Sequence, residues 1–217
     1  MDRRAFIATA GAALVASPAS AQLLCTGFTD PGPTGVQRCT VGVPAFSVQG
    51  AGQLCRYWCW AACIQSLFAT TGYVIADQQR IVGALFGRRD VCATATGAEV
   101  IRTINRDWQA DDGRWFRAWA QPLLDLTLGL RNDYISQVVA KDLASGFPLI
   151  NGALGHATLL TAMTYLTDRN GSSKGIVDIT VRDPWVPAGQ PAQPRSLTAE
   201  ELKRTFFVAQ VRVFAGT

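Results

Sequence analysis

The chain has six cysteines and a single histidine, so any Cys–His chemistry in it has only one base to draw on. That base is His156, in Gly155-His156-Ala157 at the mouth of an apolar stretch. Among the cysteines, Cys59 has the most suggestive surroundings, Tyr57-Trp58-Cys59-Trp60-Ala61-Ala62, at the expected start of a buried helix. Amide groups at a helix N-terminus favour a thiolate and lower a thiol pKa from its free value of about 8.5. A neighbouring imidazolium lowers it further and holds an ion pair. Addition to a carbonyl also needs a donor for the developing oxyanion, and Gln53, six residues before Cys59, can supply a carboxamide. A third group must fix the imidazole tautomer; Asp183, ahead of Pro184-Trp185, sits where a strand should end. Each residue also has an ordinary explanation: a structural histidine beside a strand, a disulfide half or buried thiol, and a turn-forming Asp before Pro.

Other chemistries fit less well. Cys55, Cys59 and Cys63 recur at intervals of four, without the Cys-x-x-Cys or histidine spacing of zinc sites. There is no phosphate-cradling glycine loop and no dinucleotide fingerprint. Neither a metal nor a cofactor is expected. The net charge of +4 is weak, and the basic doublets Arg88-Arg89 and Lys203-Arg204 are sparse, which argues against a nucleic-acid partner. If Cys59 stays free, Cys25, Cys39, Cys55, Cys63 and Cys92 can form at most two bridges and leave one thiol. Cys25 with Cys39 would close the Pro31-Gly32-Pro33 loop, and either Cys55 or Cys63 would reach Cys92.

Residues 1–21 resemble an export leader: Asp2-Arg3-Arg4, an apolar run from Phe6 to Val15, and Ala19-Ser20-Ala21 before the expected cut. The arginine pair also fits a twin-arginine signal. The expectation is a secreted or periplasmic product in which residues 22–217 form one domain, with disulfides permitted and no stable membrane insertion.

The elements that must position these side chains follow from periodicity and punctuation. Residues 22–49 read as an extended lead-in with a short strand at Thr40 to Val43. Helices are expected over Cys59 to Thr71, closed by Gly72, then Asp77 to Phe86, Gly97 to Trp108 and Asn132 to Leu143. Trp108, Trp115, Phe116 and Trp119 read as anchors for loops or as a groove wall. Strands are expected at Phe147 to Ile150, Ala157 to Thr164, Gly175 to Val181 and Val208 to Phe214, with a hairpin turn at Asp168-Arg169-Asn170-Gly171. Thr198 with Glu201 has the form of a capping box. Helices first and antiparallel sheet second make an α+β fold.

With these residues in place, the chain resembles the papain-like cysteine peptidases, most nearly the bacterial group typified by secreted avirulence effectors of plant pathogens. The resemblance rests on the Gln53-to-Cys59 spacing, on Cys59-Trp60-Ala61-Ala62, on Gly155-His156-Ala157 before a strand, and on Asp183-Pro184-Trp185. It implies two lobes, a helical one presenting Cys59 and a sheet lobe presenting His156 and Asp183, with the cleft between them. Peptide-bond hydrolysis through a thioester is implied, with Trp58, Trp60 and Trp185 as groove candidates. The sequence departs from the clan in having Trp58 before the nucleophile and no room for a propeptide after the leader. A transglutaminase-like, deamidating or cell-wall amidase activity on the same fold is an alternative, as is a non-catalytic, disulfide-stapled binding module. Expected partners are a protein or peptide substrate and an inhibitor or immunity protein, with the chain itself a monomer.

Overall fold

The computed structural model describes residues 22–32, 34–44, 48–131, 134–187 and 190–216. The leader expected over residues 1–21 lies outside them. The elements run β1 (Gln22–Cys25), β2 (Val36–Gly42), α1 (Cys59–Thr70), α2 (Gln78–Phe86), α3 (Gly97–Ile104), β3 (Arg106–Gln109), β4 (Trp115–Asp125), α4 (Ile135–Ala144), β5 (Leu149–Ala153), β6 (His156–Asp168), β7 (Ser173–Asp183), β8 (Gln193–Ser196), α5 (Ala199–Lys203) and β9 (Thr205–Ala215). The fold is α+β, with the strands in one large antiparallel sheet. Its order is β1-β2-β6-β5-β9-β4-β3, and β7 lies along β6 and carries β8.

β6 is long enough to serve three partners. Its first residues pair with β5 and its later ones with β2, while β7 takes the opposite edge. The two faces of the sheet are covered differently. α1 packs on β6 from one side, and nine of its residues are buried, with Ala61, Ala62, Ile64 and Phe68 at 0% exposure. The two alanines allow that close approach. α4 covers the opposite face, where Val139 and Leu143 are buried.

Local chemistry sets the helix ends. The Asp77 side chain accepts the Gln79 amide at the start of α2, and Gly87 in the left-handed region closes it. Thr96–Glu99 and Thr198–Glu201 form capping boxes on α3 and α5.

Several expectations need correction. The helix expected to reach Trp108 stops at Ile104, because the Asn105 carboxamide pairs with both the N–H and the C=O of Ala120 and turns the chain onto β4. Arg106 onward is therefore strand. The aromatic-rich stretch to Trp119 is a β-hairpin rather than loops, with Phe116, Ala118 and Ala120 buried between exposed Trp115, Arg117 and Trp119. The lead-in contributes two strands to the sheet, and β8 is an edge strand that its Pro194 and polar residues concealed. The helix expected from Asn132 begins at Ile135; Asn132 and Asp133 lie outside the described residues.

The sulfurs of Cys25 and Cys39 are paired, as are those of Cys55 and Cys92, while Cys59 and Cys63 are free and buried. Cys63 is thus the leftover thiol and not a bridging residue: it points from α1 into the core, at 1% exposure. Among the described residues no helix is long and apolar enough to cross a membrane.

Candidate active site

Cys59 is the first residue of α1, so it sits where the helix has amide groups without internal acceptors. His156 opens β6 directly after a two-residue hairpin loop, Leu154-Gly155, whose φ values are 52° and 75°. Such a loop needs both residues in the left-handed region, which a leucine occupies only at a cost of about 1–2 kcal/mol. Half-exposed Leu154 is therefore a strained residue beside the histidine. Asp183 ends β7, next to β6.

These three elements bring the predicted groups together. His156 Nε2 lies 2.7 Å from Asp183 Oδ1, and the Ala157 amide donates to Cys59 Sγ at 3.4 Å. With Nε2 engaged, Nδ1 is the ring nitrogen left for the thiol. Burial works against the Cys59 thiolate, but the nearby His156 imidazole, the Ala157 amide and the Trp60 amide outweigh it and lower the thiol pKa. His156 moves the other way. Burial opposes its charged form, yet Asp183 and Cys59 raise it to about 9. Cys63, one turn further along α1, is pushed well up by burial and by the negative charges at Cys59 and Asp183.

Asp183 is itself held. Its Oδ1 also accepts the Trp185 amide at 2.9 Å, and its Oδ2 accepts Arg195 Nε at 2.7 Å. Burial alone would raise this carboxyl, but His156, the Trp185 amide and Arg195 bring it to about 2. Arg195 is gripped in turn by both carboxylate oxygens of Glu201, at 2.9 and 2.7 Å. Sequence reasoning found Glu201 for its capping role and missed this second one; nothing in the local pattern marks Arg195.

Gln53 is buried and lines neither of the two hollows at Cys59, but a separate one with Leu54, Trp185 and Val186. Its Nε2 donates to Cys55 O at 3.1 Å, its backbone amide donates to Pro184 O, and its Oε1 has no partner. Gln78, a buried α2 residue also missed, fixes this segment from both sides by accepting the Leu54 amide and donating to Gly52 O.

The groove candidates separate. Trp185 is exposed and meets the His156 ring edge-on at 6.2 Å. Trp60 is buried but lines the apolar inner hollow at Cys59, about 50 Å³ in volume, together with Gly97, Ile150 and Phe207. Trp58 is a core residue and lines neither hollow. The indoles of Trp58 and Trp60 donate to Val91 O and Ala93 O, pinning the loop on either side of Cys92. An outer hollow of about 410 Å³ runs over Cys59, His156 and Asp183 between Tyr57, Leu154 and Trp185. Trp108, Trp115, Phe116 and Trp119 line neither of these hollows, and Trp115 and Phe116 line another, with Asp107 and Phe214.

No family model matches the sequence, and no curated protein matches it. The chain is similar to the solved structure titled "Crystal structure of UfSP from C.elegans", at 14% identity and a TM-score of 0.41. The match covers 90% of this chain and 38% of that one, so the chain spans about two fifths of that protein's length.

Proposed function

We propose that the protein is a papain-like cysteine hydrolase that cleaves peptide bonds, with Cys59 as nucleophile, His156 as acid and base, and Asp183 as the group that orients His156. The observation that carries this reading is that Cys59, His156 and Asp183 line one hollow, with His156 held 2.7 Å from Asp183 and the next residue's amide 3.4 Å from the Cys59 sulfur. A helical side delivers the nucleophile and a sheet side the base, as in the two-lobed papain arrangement, and Cys59-Trp60-Ala61-Ala62 follows the bacterial effector-like form of the motif. Two disulfides favour an oxidising compartment, and hence a secreted or periplasmic site of action.

The Cys59 thiolate attacks the scissile carbonyl carbon, and the carbonyl π electrons move onto oxygen. The Cys59 amide and the second Nε2 proton of Gln53 serve as donors to that oxyanion. As the carbonyl re-forms, the C–N bond breaks and the His156 imidazolium gives its proton to the departing amine, leaving a thioester. His156 then takes a proton from water, hydroxide adds to the thioester, and the C–S bond breaks to release the acid and restore the ion pair.

Incubating the purified protein with a peptide mixture and analysing the products by mass spectrometry tests this. Hydrolysis splits the chain with gain of one water, whereas deamidation leaves it whole and acyl transfer to an amine adds the acceptor. Cys59→Ala is expected to lower turnover by at least about 10³-fold while keeping the wild-type circular dichroism spectrum. Wild-type turnover in that variant would exclude the reading.

A further inference from the structure

On the sheet face opposite Cys59, between α4 and the strands, lies a cavity of about 170 Å³. None of its lining residues lines either hollow at Cys59. Its walls are mostly hydrocarbon, with Val139, Leu160, Met163, Ile179 and Val208 among them. One strand residue breaks that pattern. Asn151 is 1% exposed in the middle of β5, its Nδ2 donates to Thr158 Oγ1 at 3.3 Å, and its Oδ1 has no partner.

A buried amide oxygen without a donor is unfavourable, and a leucine at this position would complete the apolar wall without that penalty. Two other polar side chains reach the wall. Thr205 is engaged, its hydroxyl donating to Glu201 O at 3.0 Å. Ser136 of α4 is buried and brings a second hydroxyl. A water can bond such groups, but the further waters needed to fill the volume would face mostly hydrocarbon. The size suits a larger guest, since an engineered apolar cavity of about 150 Å³ holds benzene.

We propose that this cavity binds a small apolar molecule, about the size of benzene, that carries one hydroxyl, with the hydroxyl donating to Asn151 Oδ1. The hydrocarbon walls supply affinity by excluding water, and Asn151 supplies selection, because a guest without a donor leaves its oxygen unpaired.

Titrating the full chain with phenol and with toluene, which replaces the hydroxyl by a methyl group, tests this; binding is followed by amide NMR shifts. Phenol is expected to saturate, to shift the Asn151 side-chain amide signals, and to bind at least about tenfold more tightly than toluene. In Asn151→Leu that preference should disappear or reverse. Val139→Phe, or Val139→Leu if the larger residue prevents folding, should weaken both guests by filling the space. Equal affinities for the two probes in both the wild type and Asn151→Leu would overturn the proposal. So would an absence of saturation, or a crystal structure at saturating phenol with only water in the cavity. Activity at Cys59 is not read in any arm, so this test stands or falls separately from the hydrolase reading.

Discussion

At the scale of single residues, the resting state of the site is decided by two opposed shifts. Cys59 is lowered and His156 is raised to about 9, and both shifts favour passing the thiol proton to the imidazole. The sign follows from the direction. A histidine whose folded pKa lies above its ordinary 6.5 is stabilised in its protonated form, fully below that value, and loses the contribution as pH rises through about 9. Turnover should therefore decline as pH rises through about 9, where the proton meant for the leaving amine is lost. Alkylation of Cys59 by iodoacetamide should titrate below the free-thiol range of about 8.5. In His156→Gln the alkylation curve should return to that range. A wild-type alkylation curve that titrates like a free thiol would rule out the ion pair. His156 was legible as the one histidine of the chain, and Cys59 and Asp183 through their flanking segments, Trp58-Cys59-Trp60 and Asp183-Pro184-Trp185. Arg195 was not, because its role arises only when β7 and β8 pair and bring it onto Asp183, twelve residues away. Leu154 was hidden for a similar reason: strain is a property of the turn and not of the letter.

At the scale of elements, the inner hollow depends on how closely α3 approaches β9. Gly97, at the start of α3, permits that approach. A Cβ placed there would lie 2.5 and 2.6 Å from two ring carbons of Phe207 and 3.1 Å from Asp125 Oδ2. Alanine is the better helix former by about 1 kcal/mol, but Phe207 is only 3% exposed and its ring has little room to move. The clash should win. Gly97→Ala is expected to lower unfolding stability by about 1–3 kcal/mol in a denaturant titration. A variant as stable as the parent would show that α3 and β9 are not in this contact. The same region shows where periodicity misleads. Ile101, Ile104 and Trp108 keep helical spacing past the true end of α3, and only the tertiary pairing of Asn105 with Ala120 ends it. The β3–β4 hairpin was legible in principle from its alternation, yet its exposed tryptophans drew attention to the aromatic residues instead of the period of two. The helices that kept their expected positions, α1 and α2, carry local signals at their ends: Gly72 after α1, and Asp77 and Gly87 around α2.

At the scale of the whole molecule, the two bridges do different work. Cys25–Cys39 joins neighbouring residues of β1 and β2, a contact the sheet already makes. Cys55–Cys92 closes 37 residues, and ties the segment entering α1 to the one entering α3. By loss of chain entropy in the unfolded state, a loop of that length is worth about 3–4 kcal/mol. The Cys55→Ala, Cys92→Ala double variant should lose stability of that order, read by denaturant unfolding beside the wild type. Its effect on catalysis should be selective. Cys59, His156 and Asp183 are carried by α1, β6 and β7, which the bridge does not join, while Thr94, two residues past Cys92, lines both hollows. The Trp58 and Trp60 indoles still hold Val91 and Ala93 in the variant, so the wall loosens without being lost. On the proposed peptide substrates, KM should therefore rise while kcat stays within about a factor of three. A collapse of kcat with KM unchanged would mean that the bridge supports the reacting groups themselves, and unchanged stability would mean that the bridge does not constrain the unfolded chain as the loop length requires.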